Sequence, residues 1–207
     1  EGGNVPAEEI EAARADLDER TFNQEYFAQF VTYAGLIYYG FSREDSVLAI
    51  GDDSGTLHIG MDFNLDPMSA VICIRKGEKL YAVNEIVMYG SNTDEMVAEI
   101  KDRYGNRSIT IYPDPASRQR KTSAGGRTDL SILQNAGFSV KAKNSHALVR
   151  DRINAVNSRL LSGDGERHLF VSSKCKQTIK SLERQTYKEG TSVPNKDDGF
   201  DHMNDAL

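Results

Sequence analysis

Three short stretches hold the residues best suited to chemistry. Asp62 sits in "IGMDFN", Asp114 in "IYPDPA", and the stretch "DDGFDHMNDAL" carries Asp197, Asp198, Asp201, His202 and Asp205. The first two read as apolar runs that end on a carboxylate. A strand terminus can hold such a group rigidly and still let it reach solvent. If the two strands are neighbours, about 5 Å apart, both carboxylates can face a shared ion. A single Asp after a strand is ordinarily a turn or cap residue, so only the set together points to chemistry. In the third stretch, a helix over 198–207 puts Asp198, Asp201, His202 and Asp205 at i, i+3, i+4 and i+7, on one face. Like charges at that spacing repel by a few tenths of a kcal/mol per pair. The helix dipole explains acids in the first turn but not Asp205, about two turns in. A divalent cation would relieve the repulsion. Hard oxygen donors without sulfur select Mg²⁺ or Mn²⁺. Three or four carboxylates from separate elements suit two ions roughly 3.5–4 Å apart, one side activating a water and the other stabilising a leaving 3′ oxygen. The substrate implied is a phosphodiester.

The elements that must position these groups follow from the pattern of apolar residues. Residues 6 to 34 read as helical, from Pro6 through "AEEIEAARADL" to an apolar stripe at Phe22, Tyr26, Phe27, Phe30 and Val31. "GLIYYGF" and an acidic loop, "REDSVLAIGDDSGT", come next. "LHIGMDFN", "SAVICIR" and "KLYAVNEIVMY" are β-rich runs, the last two joined by the turn "RKGEK", and predict three neighbouring antiparallel strands. Strand and helix then alternate. "SNTDEMVAEIKDRYG" is a capped helix with Met96, Val97, Ile100 and Tyr104 on one face. "SITIYPD" is a strand, "TDLSILQNAG" a helix and "FSVKA" a strand. "SHALVRDRINAVNSRLL" is an amphipathic helix with Leu148, Ile153, Val156 and Leu160 on one side. "RHLFVS" and "KCKQTIKSLERQTY" complete the series. This order predicts an α/β domain, a mixed sheet of three antiparallel strands followed by parallel strands, flanked by helices. Residues 1–50 read as a helical linker segment and 51–207 as the domain.

Composition narrows the class. A chain of 207 residues with 39% hydrophobic and 27% charged residues can bury a core without staples. No apolar run approaches the roughly 20 residues needed to span a bilayer, and no secretory signal opens the sequence. Cys73 and Cys175 lack the CxxC spacing of a zinc site, and an intracellular, reducing setting is expected. The net charge of −6 is unevenly spread. Residues 101–190 hold 18 of the 25 Lys and Arg against 8 of the 31 Asp and Glu, a local balance of +10. Such asymmetry suits a polyanion. Directly after Asp114, "SRQRKTSAGGR" supplies Arg118, Arg120, Lys121 and Arg127. Lys141 and Lys143 add to the nucleic-acid-binding candidates.

Aspartates ending the first and fourth strands, with another in a late helix, resemble the ribonuclease H-like nuclease superfamily. Within it, the chain resembles the C-terminal nuclease domain of tailed-phage large terminases, the DNA-packaging motor subunits. "GMDFN" resembles the first catalytic motif, "IYPDPA" the second and "DHMNDAL" the third, while "LDERTFNQEYFAQFVTYAGLIYYGF" resembles the segment linking the family's ATPase to its nuclease. The resemblance covers roughly residues 17 to 207. It implies a Mg²⁺- or Mn²⁺-dependent endonuclease that cuts concatemeric double-stranded DNA, with Asp62 bridging two metals and Asp114 and Asp205 completing the carboxylate set. His202 matches a family histidine near the third aspartate, as a ligand or a proton-transfer partner. Asp201 and Asp66 are further candidates. The implied partners are DNA, an ATPase domain, a small terminase subunit and a portal, in the cytoplasm of an infected bacterium. No GxxxxGK[ST] motif is present, so the chain reads as the nuclease part alone. Two alternatives stay open: another enzyme on the same fold, such as a junction resolvase or transposase core, and a non-catalytic DNA-binding or assembly module.

Overall fold

The computed structural model describes residues 5–29, 35–51, 54–64, 66–114, 117, 127–143 and 147–207. The first predicted helix is two. α1 spans Ala7–Asp16 and α2 spans Glu19–Phe27. The break falls at Leu17 and Asp18 because Asp18 acts as an N-cap, its carboxylate accepting from the Thr21 amide at 3.1 Å and from the Tyr39 hydroxyl. Of the expected stripe, Phe22 is buried, Phe27 is exposed, and Phe30 and Val31 lie outside the described residues. The acidic stretch read as a loop contains a short helix, α3 (Arg43–Ser46), and a strand, β1 (Val47–Leu48). Two residues are too few to leave a period in the sequence.

The next strands are β2 (Leu57–Asp62), β3 (Met68–Lys76) and β4 (Lys79–Met88), paired antiparallel in sequence order. β3 is apolar on both faces, as a strand covered on both sides must be. Ala70, Ile72 and Ile74 enter one core, and Val71 and Cys73 the other. Helix α4 (Thr93–Tyr104) starts with a capping box between Asn92 and Glu95 and buries Met96, Val97, Ile100 and Tyr104, as its spacing predicts. β5 (Ile109–Pro113) lies parallel to β2. α5 (Asp129–Asn135) and β6 (Ser139–Val140) follow, then α6 (Val149–Leu160), β7 (Leu169–Ser172), α7 (Lys176–Arg184) and α8 (Asp201–Ala206). Ile153 and Leu160 of α6 are buried, but Leu148 is its exposed N-cap.

The described strands form one mixed sheet in the order β1-β7-β4-β3-β2-β5-β6. One core packs β2, β3 and β5 against α4 and α5, and the second packs the opposite face against α6, α7 and α8. Asp18 and Ile37 join the second side through the Asp18–Ser162 bridge and the Ile37 amide donating to the Gln185 carbonyl at 2.9 Å, and the Asp18–Tyr39 contact ties α2's start to the chain after residue 35.

Candidate active site

The two-residue period of β strands decides where Asp62 points. Leu57, Ile59 and Met61 fill the α4/α5 core, so His58, Gly60 and Asp62 face the other way. On β5, Ile109 and Ile111 fill the same core, and the alternation carried one residue beyond the strand puts Asp114 on the face of Asp62. Because β2 and β5 run parallel with Met61 opposite Pro113, the two aspartates leave the same end of adjacent strands. The Asp114 amide donates to the Met61 carbonyl at 3.4 Å. The two strands that end on these aspartates are therefore neighbours in the sheet, as the expectation required.

Asp62 is nearly buried. Its Oδ2 accepts from Asn64 Nδ2 at 2.7 Å and lies 3.1 Å from His202 Nδ1, which is itself 3.0 Å from Asn64 Nδ2. With a proton on Nδ1, His202 donates to Asp62; with Nδ1 bare, the Asn64 amide serves both neighbours. Burial is the main force holding the Asp62 carboxyl above the usual carboxylate range. The hydrogen bonds from Asn64 and His202 oppose it, and the negative charge of Asp205 reinforces it.

Helix α8 brings the third group. It packs on β2 and β3 and rests directly on the β2 backbone at Gly60, where a Cβ would overlap the Ala206 carbonyl oxygen. Met203 and Ala206 enter the core, and buried Asn204 donates to Gln185 Oε1 at 2.7 Å and to the Phe200 carbonyl at 3.0 Å. The helix begins at Asp201 rather than 198, because Asp197–Gly199 form a turn with Gly199 at a φ of +68°. Asp198 is thus outside the helix and not part of the face predicted for it. Asp201 is buried. Its Oδ2 lies 3.0 Å from Lys196 Nζ, while its Oδ1 has no hydrogen-bond partner among the described residues and sits 4.0 Å from His202 Nε2. Asp205 is partly exposed, 3.2 Å from Lys196 Nζ through Oδ2 and 3.5 Å from Arg152 Nη1 through Oδ1. Among the described residues, no three His, Cys, Asp or Glu side chains stand close enough together to hold a metal ion. Asp62, Asp114, Asp201, His202 and Asp205 are grouped around the β2 end, but not as a finished cage.

The basic candidates divide. Arg127 pairs with Asp94 in the first turn of α4, at 2.9 Å. Exposed Lys141 stands 6.0 Å from the Tyr112 ring centre, and exposed Lys143 lines a groove of about 600 Å³ beside Asp205 that Arg152, Lys188 and Lys196 also border. Arg118, Arg120 and Lys121 lie outside the described residues. Asp66 borders a second cleft, of about 360 Å³, with His202 and Phe200. Sequence reasoning missed Asn64, Gly60, Arg152 and Lys196. Asn64 had a faint signal, being two residues past Asp62. Lys196 had none, since only the fold brings it to Asp201 and Asp205.

The fold has solved relatives. The large terminase of a thermophilic bacteriophage matches 99% of this chain and 51% of its own at a TM-score of 0.76 and 18% identity. This chain spans about half the length of that protein. The nuclease domain of the P22 large terminase matches 84% of this chain and 92% of its own, at 0.63 and 16%. The large terminase nuclease of thermophilic phage G20c, with bound magnesium, matches 85% and 97%, at 0.57 and 13%. No curated protein matches the chain. At such identities these structures establish a shared fold. The family model described as the terminase RNaseH-like domain aligns with residues 59–207, from the strand bearing Asp62 through the helix bearing Asp205. The chain belongs to that terminase RNaseH-like domain family.

Proposed function

We propose that this chain is a divalent-metal-dependent endodeoxyribonuclease of a viral packaging terminase, cutting concatemeric double-stranded DNA by hydrolysing phosphodiesters. The observation that carries the reading is the exit of Asp62 and Asp114 from the same end of adjacent parallel strands, with α8 seated so that His202 reaches Asp62. The residues fit divalent cations by chemistry. The donors are hard carboxylate oxygens, buried Asp201 has an oxygen without a hydrogen bond among the described residues, and an ammonium already lies between Asp201 and Asp205. Asp62, Asp114, Asp205 and Asp201 would hold two ions, Mg²⁺ or Mn²⁺; the magnesium bound in the G20c nuclease agrees with this choice. Bound ions of this kind supply a water of lowered pKa and charge neutralisation at the leaving oxygen.

The chain's own groups do the rest. With Nδ1–H donated to Asp62, His202 would carry its lone pair on Nε2 and accept a proton there. Hydrolysis joins a water oxygen to phosphorus, breaks the P–O3′ bond and leaves a 3′ hydroxyl and a 5′ phosphate. Lys141, Lys143 and the basic stretch around Arg118, Arg120, Lys121 and Arg127 hold the backbone by charge, without reading bases. In the full-length protein we propose an ATPase domain, with a small terminase subunit and a portal as partners, in the cytoplasm of the infected bacterium. The test is nicking and linearisation of a supercoiled plasmid with Mn²⁺. The native chain should cut and stop on adding EDTA, and Asp62→Ala should lose at least about 100-fold. Cutting in EDTA, or a fully active Asp62→Ala, would refute the mechanism.

A further inference from the structure

Lys196 occupies the place between two of the carboxylates assigned to metal. Its Nζ lies 3.0 Å from Asp201 Oδ2 and 3.2 Å from Asp205 Oδ2. Those two aspartates are four residues apart on α8, the spacing at which like charges face each other and repel. One ammonium answers both. Asp205's other oxygen is 3.5 Å from the Arg152 guanidinium, so both of its oxygens already face side-chain cations. The backbone around Lys196 is fixed: the Asn195 amide donates to the Thr186 carbonyl at 2.8 Å, and the Asp197 amide to Asn195 Oδ1 at 3.1 Å. The side chain itself is 58% exposed, so its long stem can swing into solvent without disturbing the core.

We propose that Lys196 is a built-in cation that holds Asp201 and Asp205 in the metal-free chain and competes with a divalent ion for them. This rests on the reading of Asp62, Asp114, Asp201 and Asp205 as the metal-binding set. A divalent ion can take Asp205 only after the ammonium has left, so the two cations exclude each other at that position. Lys196 thereby keeps buried Asp201 from being an uncompensated charge, which is strongly destabilising where no partner exists, and it weakens metal binding in return.

The test is Mn²⁺ binding to the whole chain by titration calorimetry and by paramagnetic resonance of free Mn²⁺, without DNA. Lys196→Gln keeps a hydrogen-bonding amide but removes the charge, and it should bind Mn²⁺ more tightly, on the order of tenfold. Lys196→Arg keeps the charge and should stay near the native affinity. In thermal unfolding, the rise in Tm on adding Mn²⁺ should be larger for Lys196→Gln than for the native chain. Unchanged or weaker Mn²⁺ binding by Lys196→Gln overturns the proposal, even while native binding persists and is lost in Asp62→Asn. If the native chain and Lys196→Gln both bind no Mn²⁺, the metal-site reading itself fails, and this inference with it.

Discussion

Asp62 is held in tension between burial and its hydrogen bonds. Burial pushes its carboxyl above the ordinary range, the charge of Asp205 adds to this, and Asn64 and His202 pull it back. Because the folded value is raised, the folded state keeps this proton at a pH where the unfolded chain has released it. That contribution to stability is complete below the ordinary carboxylate range and fades as pH rises through the raised value. At neutral pH the ionised Asp62 therefore costs stability. Asp62→Asn should abolish cutting yet melt at or above the native Tm at pH 7, and its advantage should shrink as pH falls through the raised value and level off below the ordinary carboxylate range. Paired melting curves across that range check it; a variant that melts lower at pH 7 and recovers in acid would reverse the sign. The proposed role of Asp62 and its cost to the fold both follow from its burial.

At the scale of elements, the seat of α8 on Gly60 is the most exposed to test. Gly60→Ala puts a methyl group where the Ala206 carbonyl lies. Overpacking of this kind costs about 1–3 kcal/mol, and here the helix must lift, carrying His202 and Asp205 with it. The expected result is a lower Tm with a larger proportional loss of Mn²⁺-dependent plasmid cutting, measured on the fraction still folded. Much of this arrangement was legible in the residues. The alternation in "LHIGMDFN", the double-sided run in "SAVICIR" and the capped face of α4 each carry their own period, so their strands and helix came out as predicted. The break at Asp18 and the two-residue β1 did not, because a cap and a two-residue pairing are settled by distant partners such as Tyr39 and β7. The start of α8 was misplaced for a related reason. Gly199 at positive φ turns the chain just before Asp201, and acidic residues on both sides of that turn look alike in sequence. Lys196 was invisible as a partner of Asp205, since nothing in its neighbourhood repeats.

Across the whole molecule, the net charge of −6 hides a basic stretch and an acidic remainder. Exposed Lys143 and the neighbouring groove bordered by Arg152 and Lys188 lie on the flank of Asp205, so these cations sit beside that carboxylate. DNA affinity should then fall steeply with salt, each phosphate contact adding about 0.9 to the log–log slope. Lys143→Gln should lower that slope by about one and weaken duplexes of unrelated sequence alike, read by fluorescence anisotropy over a salt series. A flat response would move DNA away from this flank. The contact between His202 and Asp62 joins residues 140 positions apart, and α8 can settle only on a finished β2 at Gly60. A ribosome makes these pieces in that order, and domains generally fold as units as they emerge. The half-made chain thus carries Asp62 and Asp114 before α8 exists, and His202 reaches Asp62 only once α8 docks.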